Sequence, residues 1–517
     1  MKKLIIIFTF LSTILSNILF AQQGNLDSTF NTNGIITTSI SEFDKAYSIA
    51  IQSDGKILAA GYSHPINNYD FSVVRYNADG SLDNSFGSGG KVTTDVVTGQ
   101  SDYAYSIAIQ QDGKIIVAGS SNTGTDCNWV LVRYNHDGTL DSTFNGDGKI
   151  VTSMSTGFDE ALSLAIQTDG KIIVAGYSEP NRKYFALARF NTDGSFDNSF
   201  GTNGKLTTAV GTYSDNATSV AIQSDGKIVA AGNSSDGGIS YGISLARYNS
   251  NGILDTSFSD DGKLTYFYSS MGIMISSLVV QPNGKIILGG MSTNANQHLV
   301  MARFNSNGTF DSLFGSNGIV ITSIDSNSCR GYSLTLQPDG KIIMAGSAYN
   351  STNHDFALLR YNVNGSLDST FAINGIITTS IGTGNDVAYS VAIQSDGKIV
   401  LGGFSINNTN SYFALARYIS GLNIGIIDFP FTNNSILIYP NPIRQNATLE
   451  YELQDQEMIS IRLVDIQGRS IKTFINNVKQ EIGKHQQILS LPAKLPSGYY
   501  FINISYGKGQ VSIKIIK

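Results

Sequence analysis

Tyr105-Ser-Ile-Ala-Ile-Gln110-Gln-Asp112-Gly113-Lys114-Ile-Ile-Val-Ala-Gly119 is the stretch that decides the fold. Two apolar runs rich in β-branched residues flank an Asp-Gly pair, which reads as two strands, a and b, joined by a tight hairpin. Asp-Gly predicts a type I′ turn, with positive φ at both central residues. The pattern Gln-x-(Asp/Asn)-Gly-Lys recurs with its Gln at Gln52, Gln110, Gln167, Gln223, Gln281, Gln337 and Gln394, at spacings of 58, 57, 56, 58, 56 and 57 residues. Self-similarity at a fixed period marks a repeat architecture.

Further along the second copy, Trp129-Val-Leu-Val-Arg-Tyr134 reads as strand c and Gly148-Lys-Ile-Val-Thr152 as strand d, with a turn-rich connector, Asn135 to Phe144, between them. Four short strands in about 57 residues match one propeller blade, and no segment shows a helical period. A Leu/Phe-Asp-x-x-Phe element starts at Leu26, Leu82, Leu140, Phe196, Leu254, Phe310 and Leu367. Its first copy precedes any complete repeat, and the last repeat, ending at Phe413-Ala-Leu-Ala-Arg417, has none after it. The N-terminal Gly34-Ile-Ile-Thr-Thr38 can therefore supply the missing strand d and leave no unpaired edge. The expected fold is all-β: a seven-bladed β-propeller of four-stranded blades closed by an N-terminal strand, followed by a small β-sandwich. An open β-solenoid is the alternative, but it has no need of the overlap.

The chain has 517 residues, 14% of them charged, a formal charge of -6 and no basic run, which argues against nucleic acid as a partner. Residues 1–23 read as a signal peptide: Lys2 and Lys3, the apolar Leu4 to Phe20, then Ala21 at a cleavage point. A retained anchor is the alternative. The run is short and broken by Ser12, Thr13, Ser16 and Asn17, so no transmembrane anchor is expected after signal removal. Cys127 and Cys329 fall at non-equivalent repeat positions and read as two isolated buried thiols, and no Cys/His cluster has zinc spacing.

Each strand c carries an arginine (Arg75, Arg133, Arg189, Arg247, Arg303, Arg360, Arg417) and each connector an aspartate (Asp27, Asp83, Asp141, Asp197, Asp255, Asp311, Asp368). A polar pair copied in every blade reads as scaffold, and the overlap predicts that Asp27 meets Arg417. A serine before each Gln (Ser48, Ser106, Ser163, Ser219, Ser277, Ser333, Ser390) likewise reads as a structural hydrogen bond. Asn77-Ala-Asp79-Gly80-Ser-Leu-Asp83 spaces its oxygens as a calcium loop does, so calcium is the one cofactor to consider. It lacks the terminal bidentate Glu, and Asn-Gly and Asp-Gly turns explain every copy without an ion.

Loops a–b and c–d share one face and repeat; loops b–c and d–a share the other and vary. The variable loops, such as Ser63 to Tyr69 and Ser405 to Ser411, are rich in Asn, Ser and Tyr, a composition suited to adaptable polar contact. Four residues before each repeated serine stand Asp44, Asp102, Asp159, Asp215 and Asp386, with Ile273 and Cys329 in the fifth and sixth blades. With strand a innermost, five carboxylates ring the channel mouth and make a candidate binding site. Local capping of the loops by these side chains is the competing reading.

Leu82-Asp-Asn-Ser-Phe86-Gly-Ser-Gly-Gly90-Lys-Val together with Ile109 to Gly119 resembles the delta-60 repeat family of bacterial exported proteins, over residues 24–420. That resemblance implies a propeller-like fold and supplies no catalytic residue. After a linker, 421–434, residues 435–517 alternate as a small β-sandwich of about 80 residues. Their Tyr439-Pro-Asn-Pro442, Asp465-Ile-Gln-Gly468, Gly498-Tyr-Tyr500 and terminal Lys514-Ile-Ile-Lys517 resemble the type A C-terminal sorting domain of the type IX secretion system of Bacteroidetes. That resemblance implies the type IX machinery as a partner, export across the outer membrane, and a secreted protein that is released or attached to the outer-membrane surface.

Two functions compete. One is a non-catalytic scaffold that binds an extracellular glycan or protein through the variable face. The other is a secreted propeller hydrolase or lyase acting on an extracellular polymer. Seven near-identical blades do not make one catalytic centre, and His64, His136 and His354 do not share a repeat position, which favours binding.

Overall fold

The computed structural model describes residues 23–421 and 436–517, apart from 66, 123, 125, 238–239, 269–270, 325–327, 442, 444, 454–455, 466–469, 494, 497 and 507–508. Residues 1–22 of the expected signal peptide (1–23), most of the linker, and parts of the Tyr-Pro-Asn-Pro and Asp-x-x-Gly motifs fall outside the described residues. The chain divides into two compact units, 1–422 and 423–517, and no helix occurs among the described residues.

The first unit is a seven-bladed propeller. In its first sheet, strands a (Lys45–Ile51), b (Ile57–Ser63), c (Asp70–Tyr76) and d (Lys91–Thr94) pair antiparallel in that order. The pattern recurs, and one parallel pairing, Phe158 with Cys127, links the second and third sheets. In the last sheet the outer strand is Ile35–Thr38, antiparallel to Asn410–Tyr418 with Ile36 opposite Leu415. Asp27 Oδ2 lies 2.8 Å from Arg417 Nε, the contact expected at the seam.

The repeated serines show how the sheets are arranged. The backbone N–H of Ile49 donates to Ser390 Oγ (3.1 Å), Ile107 to Ser48 (3.4 Å), Leu164 to Ser106 (3.2 Å) and Val220 to Ser163 (3.1 Å). Leu278 donates to Ser219 (3.1 Å), Leu334 to Ser277 (3.0 Å) and Val391 to Ser333 (3.2 Å). Each bond joins strand a of one blade to strand a of the next, and the seven form a circle. Strands a therefore stand innermost around an axial channel. Apolar clusters fill the gaps between successive sheets, among them one in which Val400, Phe413 and Leu415 pack with Ala46, Ile49 and Val74 of the first blade.

The hairpins depart from the expected type I′. At Gln52-Ser-Asp54-Gly55-Lys56 only Gly55 has positive φ (85°). Gly55 N donates to Gln52 O (2.9 Å) and Gln52 N to Lys56 O (2.8 Å), a type I turn followed by a glycine bulge. The Asp is selected for its side chain: Asp54 Oδ1 accepts from Lys56 N (3.1 Å), and Asn283 does the same for Lys285 where the acid is an amide.

The second unit stacks a three-stranded sheet (Leu437–Tyr439, Asn446–Leu453, Gly483–Ser490) with a four-stranded one (Ser470–Gln480, Glu457–Val464, Tyr499–Tyr506, Gly509–Ile516) over a core that includes Leu449, Tyr451, Ile461 and Ile502.

Candidate functional site

The five aspartates proposed from the sequence do not ring an open channel mouth. Asp44, Asp102, Asp159, Asp215 and Asp386 are all 0% exposed. Each accepts backbone N–H groups from its own d–a loop: Ile40 to Asp44 (2.7 Å), Val96 to Asp102 (2.7 Å), Met154 to Asp159 (2.7 Å), Val210 to Asp215 (3.0 Å) and Ile381 to Asp386 (2.6 Å). Ile273 and Cys329 at the same position are equally buried, so the row faces the core in these blades as well.

A β-bulge turns this row away from the channel. Counting back in twos from Ser48 puts Ala46 and Asp44 on the serine's side of the strand. The pairing of strands a and b shifts between Ala46 and Ser48, so Tyr47 is the extra residue and the alternation inverts there. The same shift occurs in all seven blades, for example between Ala104 and Ser106 and between Ala388 and Ser390. Opposite it, each strand b has a glycine. A Cβ on Gly61, Gly119, Gly176, Gly232, Gly290, Gly346 or Gly403 would lie 1.8–2.0 Å from a strand-a carbonyl oxygen. The Ala/Gly-Gly step of every repeat is thus the sequence mark of the bulge.

The bulge residues are Tyr47, Tyr105, Leu162, Thr218, Ser276, Tyr332 and Tyr389, all half-buried on the channel wall. Blades six, seven, one and two, which are consecutive around the circle, carry tyrosine; the other three do not. Tyr47 stacks on Tyr389 with centroids 4.5 Å apart and planes at 9°. Tyr332 meets Tyr389 edge-on at 4.8 Å, and Tyr105 meets Tyr47 at 5.4 Å. Towards the variable face the cluster continues through Tyr62 (5.5 Å from Tyr47), Tyr103 (5.0 Å from Tyr62), Tyr69 (5.4 Å from Tyr103) and Phe404 (5.8 Å from Tyr389). Burial, reinforced by neighbouring phenols, holds Tyr47 far above the ordinary tyrosine range and pushes Tyr389 up to about 12. These hydroxyls are neutral at physiological pH and serve as hydrogen-bonding tips on flat apolar rings.

Two residues further up strand a, towards the variable face, stand Lys45, Tyr103, Glu160, Asn216, Met274, Arg330 and Val387. Lys45 Nζ sits 4.9 Å from the Phe404 ring centroid, and burial lowers its pKa. Burial raises the Glu160 carboxyl, against the pull of Lys183. None of the channel residues was singled out from the sequence. The available signal was the tyrosine immediately before the repeated serine, present in only four copies.

On the opposite face the connector oxygens that a calcium loop would offer are already engaged. Asp79 Oδ1 accepts from Ser81 N (2.9 Å), and Asp83 Oδ2 from Arg75 Nε (2.7 Å). On the variable face, carboxylate oxygens of Asp70, Asp95 and Asp102 converge within 4.8 Å of one another, an all-oxygen set of the kind hard cations take. Cys127 and Cys329 are buried free thiols.

A ring of four-stranded blades joined to a secretion tail defines a secreted, cell-surface propeller protein. The chain carries seven copies of the domain of unknown function (DUF5122) beta-propeller, at residues 52–86, 110–144, 167–200, 223–258, 281–314, 337–371 and 394–420. Residues 437–517 are a secretion system C-terminal sorting domain, which makes the type IX machinery a partner. No curated protein matches the chain. Among solved structures, it is similar to a protein of unknown function from Dyadobacter fermentans at 12% identity and TM-score 0.42, over 62% of this chain and 95% of that one. It is also similar to the polysaccharide lyase Uly1 (10% identity, TM-score 0.43, 78% and 94% covered) and to a PL25 ulvan lyase (11%, 0.39, 76% and 98%). These likenesses are too distant to carry function. No helix among the described residues is long and apolar enough to cross a membrane.

Proposed function

We propose that the protein is a non-catalytic binding scaffold that holds an extracellular glycan chain against the tyrosine arc, at the variable end of the channel. One observation carries this reading: four tyrosines at one repeat position on four consecutive blades, where Leu162, Thr218 and Ser276 serve the other three. Since the scaffold accepts Leu, Thr and Ser at the bulge, folding does not demand the aromatic side chains. Tyrosine gives a large rigid contact surface at low conformational-entropy cost, with a hydroxyl at its tip. The faces of sugar rings present C–H groups to such surfaces, and the Asn- and Ser-rich b–c loops supply polar partners for their hydroxyls.

The test is binding of the full chain to extracellular polysaccharides, by glycan array and calorimetry. Tyr47→Ala with Tyr389→Ala should weaken binding at least tenfold, about 1.4 kcal/mol, in a protein that melts lower but is still folded at the temperature of the assay. Unaltered binding in that variant would remove the arc from the function. A polymer-cleaving reading has one observation behind it, the half-buried Glu160 with its raised carboxyl pKa, the property of a general acid. Under that reading the wild type depolymerises its ligand and Glu160→Gln binds it without cleavage. Under the binding reading neither protein shortens the polymer.

A further inference from the structure

We infer that the glycan held by this channel is acidic, carrying uronate or sulfate groups that dock on Lys45 and Arg330; this rests on the binding reading above. The two cations occupy the same position of strand a on blades one and six, and blade seven between them carries Val387. Both are half-buried beside the aromatic arc, Arg330 at its blade-six end and Lys45 within it, two residues from Tyr47. Lys45 Nζ lies against the Phe404 ring, itself 5.8 Å from Tyr389. Arg330 Nε donates to the neutral Gln297 Oε1 at 2.6 Å.

Neither cation has a carboxylate within ion-pair distance among the described residues. The propeller matches its fully buried strand-c arginines with carboxylates, whereas the half-buried lysines Lys91, Lys149 and Lys205 rest on carbonyl or hydroxyl oxygens. Every strand-c arginine pairs with its connector aspartate, as Arg133 does with Asp141 at 2.6 Å, and a hairpin lysine joins the same acid, as Lys114 does at 2.7 Å. The one carboxylate in the Lys45 row, Glu160, lies on blade three next to Tyr103 and Tyr105 and answers to Lys183. A partly desolvated cation with no carboxylate in reach among the described residues is held at a free-energy cost that an arriving anion relieves. The planar guanidinium is shaped for a carboxylate or sulfate, and its terminal nitrogens meet no acceptor among the described residues. The chain as a whole is negative, at -6, so acidic polymers are not gathered by bulk charge and must be selected locally.

The experiment titrates the full-length protein with polygalacturonate, dextran sulfate and a neutral dextran, at low and at high salt. The expected result is at least tenfold tighter binding of one of the acidic polymers than of dextran, weakened by salt. Lys45→Gln with Arg330→Gln should abolish that preference without lowering the melting temperature, since half-buried unpaired charges are being removed. Lys479→Gln, in the sorting domain, should leave it intact. Equal affinity for neutral and acidic polymers, undisturbed by the Lys45/Arg330 double variant, overturns the charge assignment and leaves the binding reading standing. Equal losses from Lys479→Gln also overturn it, because they mark non-specific attraction. If none of the three polymers, nor any glycan on the array, binds the wild type, both readings fail.

Discussion

Gly61 shows how much one missing side chain decides. Its absent Cβ lets Lys45 O approach to a distance no Cβ tolerates, 1.9 Å, and so the strand-a bulge forms and Tyr47 turns to the channel. Gly61→Ala must push the strands apart at the bulge, an overpacking expected to cost about 1–3 kcal/mol. It should also weaken glycan binding more than Tyr47→Phe does, read by calorimetry beside a thermal melt. Equal melting temperatures for the variant and wild type would show that the bulge does not need glycine. Asp70 provides a pH test at the same scale. Burial, with Asp95 and Asp102 nearby, pushes its carboxyl up to about 6 from 3.8. The folded protein therefore holds this proton more tightly than the unfolded chain, and ionising Asp70 lowers stability as pH rises from about 4 to above 6. Asp70→Asn should melt higher than wild type at pH 8, by the equivalent of about 2 kcal/mol, and show little difference at pH 4. A constant difference at both pH values would reject this origin. These residues also mark where the sequence stopped being legible. Strand alternation is a period-two rule, and a bulge inverts it within one residue. A strict period-two count therefore places Asp44 on the channel wall and leaves Tyr47, three positions away, off it.

At the scale of the element, the connector and strand c form a clamp. Arg133 Nε meets Asp141, its Nη2 meets Thr143 Oγ1 (2.9 Å), its Nη1 reaches the carbonyl of Thr192 in the next blade, and its guanidinium lies 4.5 Å above the Phe144 ring. The Arg–Asp pairing was readable because every copy preserved both partners. The link to the next blade was not, because its acceptor is a backbone carbonyl, which no residue identity reveals. The aspartates feel burial first, which raises them, but hydrogen bonds from Ser or Thr, Lys and Arg prevail and hold Asp141, Asp197, Asp255 and Asp368 well below the usual carboxylate range. Such depressed groups stabilise the fold above the unfolded value near 4 and lose that contribution as pH falls below it. Blade five is the imperfect copy. Thr143 Oγ1 donates to Asp141 Oδ1 at 2.7 Å, whereas the matching residue beside Asp311 is Leu313, which is 79% exposed. Leu313→Ser supplies the missing hydroxyl to Asp311 and Arg303 and gives up little buried surface. It should stabilise the protein by about 1 kcal/mol, measured by denaturant midpoint. No gain would mean that the hydroxyl adds nothing to the clamp.

At the scale of the whole molecule, the seam is the one place where the repeat must be completed by a distant part of the chain. The count of Leu/Phe-Asp-x-x-Phe elements made that readable, since the surplus copy at Leu26 answers the copy missing after Arg417. Ile35–Thr38 is the outer strand of the last sheet, Phe30 and Ile36 are buried in the cluster between the last and first blades, and Arg417 lies over the Phe30 ring at 4.5 Å. A chain lacking residues 23–38 loses these contacts together: two buried aromatic and aliphatic side chains worth about 1.5–3 kcal/mol each, and the partner of the buried Arg417. It also exposes the edge of Asn410–Tyr418, whose Phe413 and Leu415 are 0% exposed in the intact protein. An uncovered, apolar, unpaired strand is a template for association. The truncated protein should therefore melt lower and aggregate. A synthetic peptide spanning residues 23–38, added in trans, should restore both the melting temperature and the monomer by adding the missing strand. The same peptide with Asp27→Asn and Phe30→Ala should rescue poorly, because it offers the strand without its anchor. A truncated chain that melts like the full one, or is rescued equally by both peptides, would show that the ring holds together without its N-terminal strand.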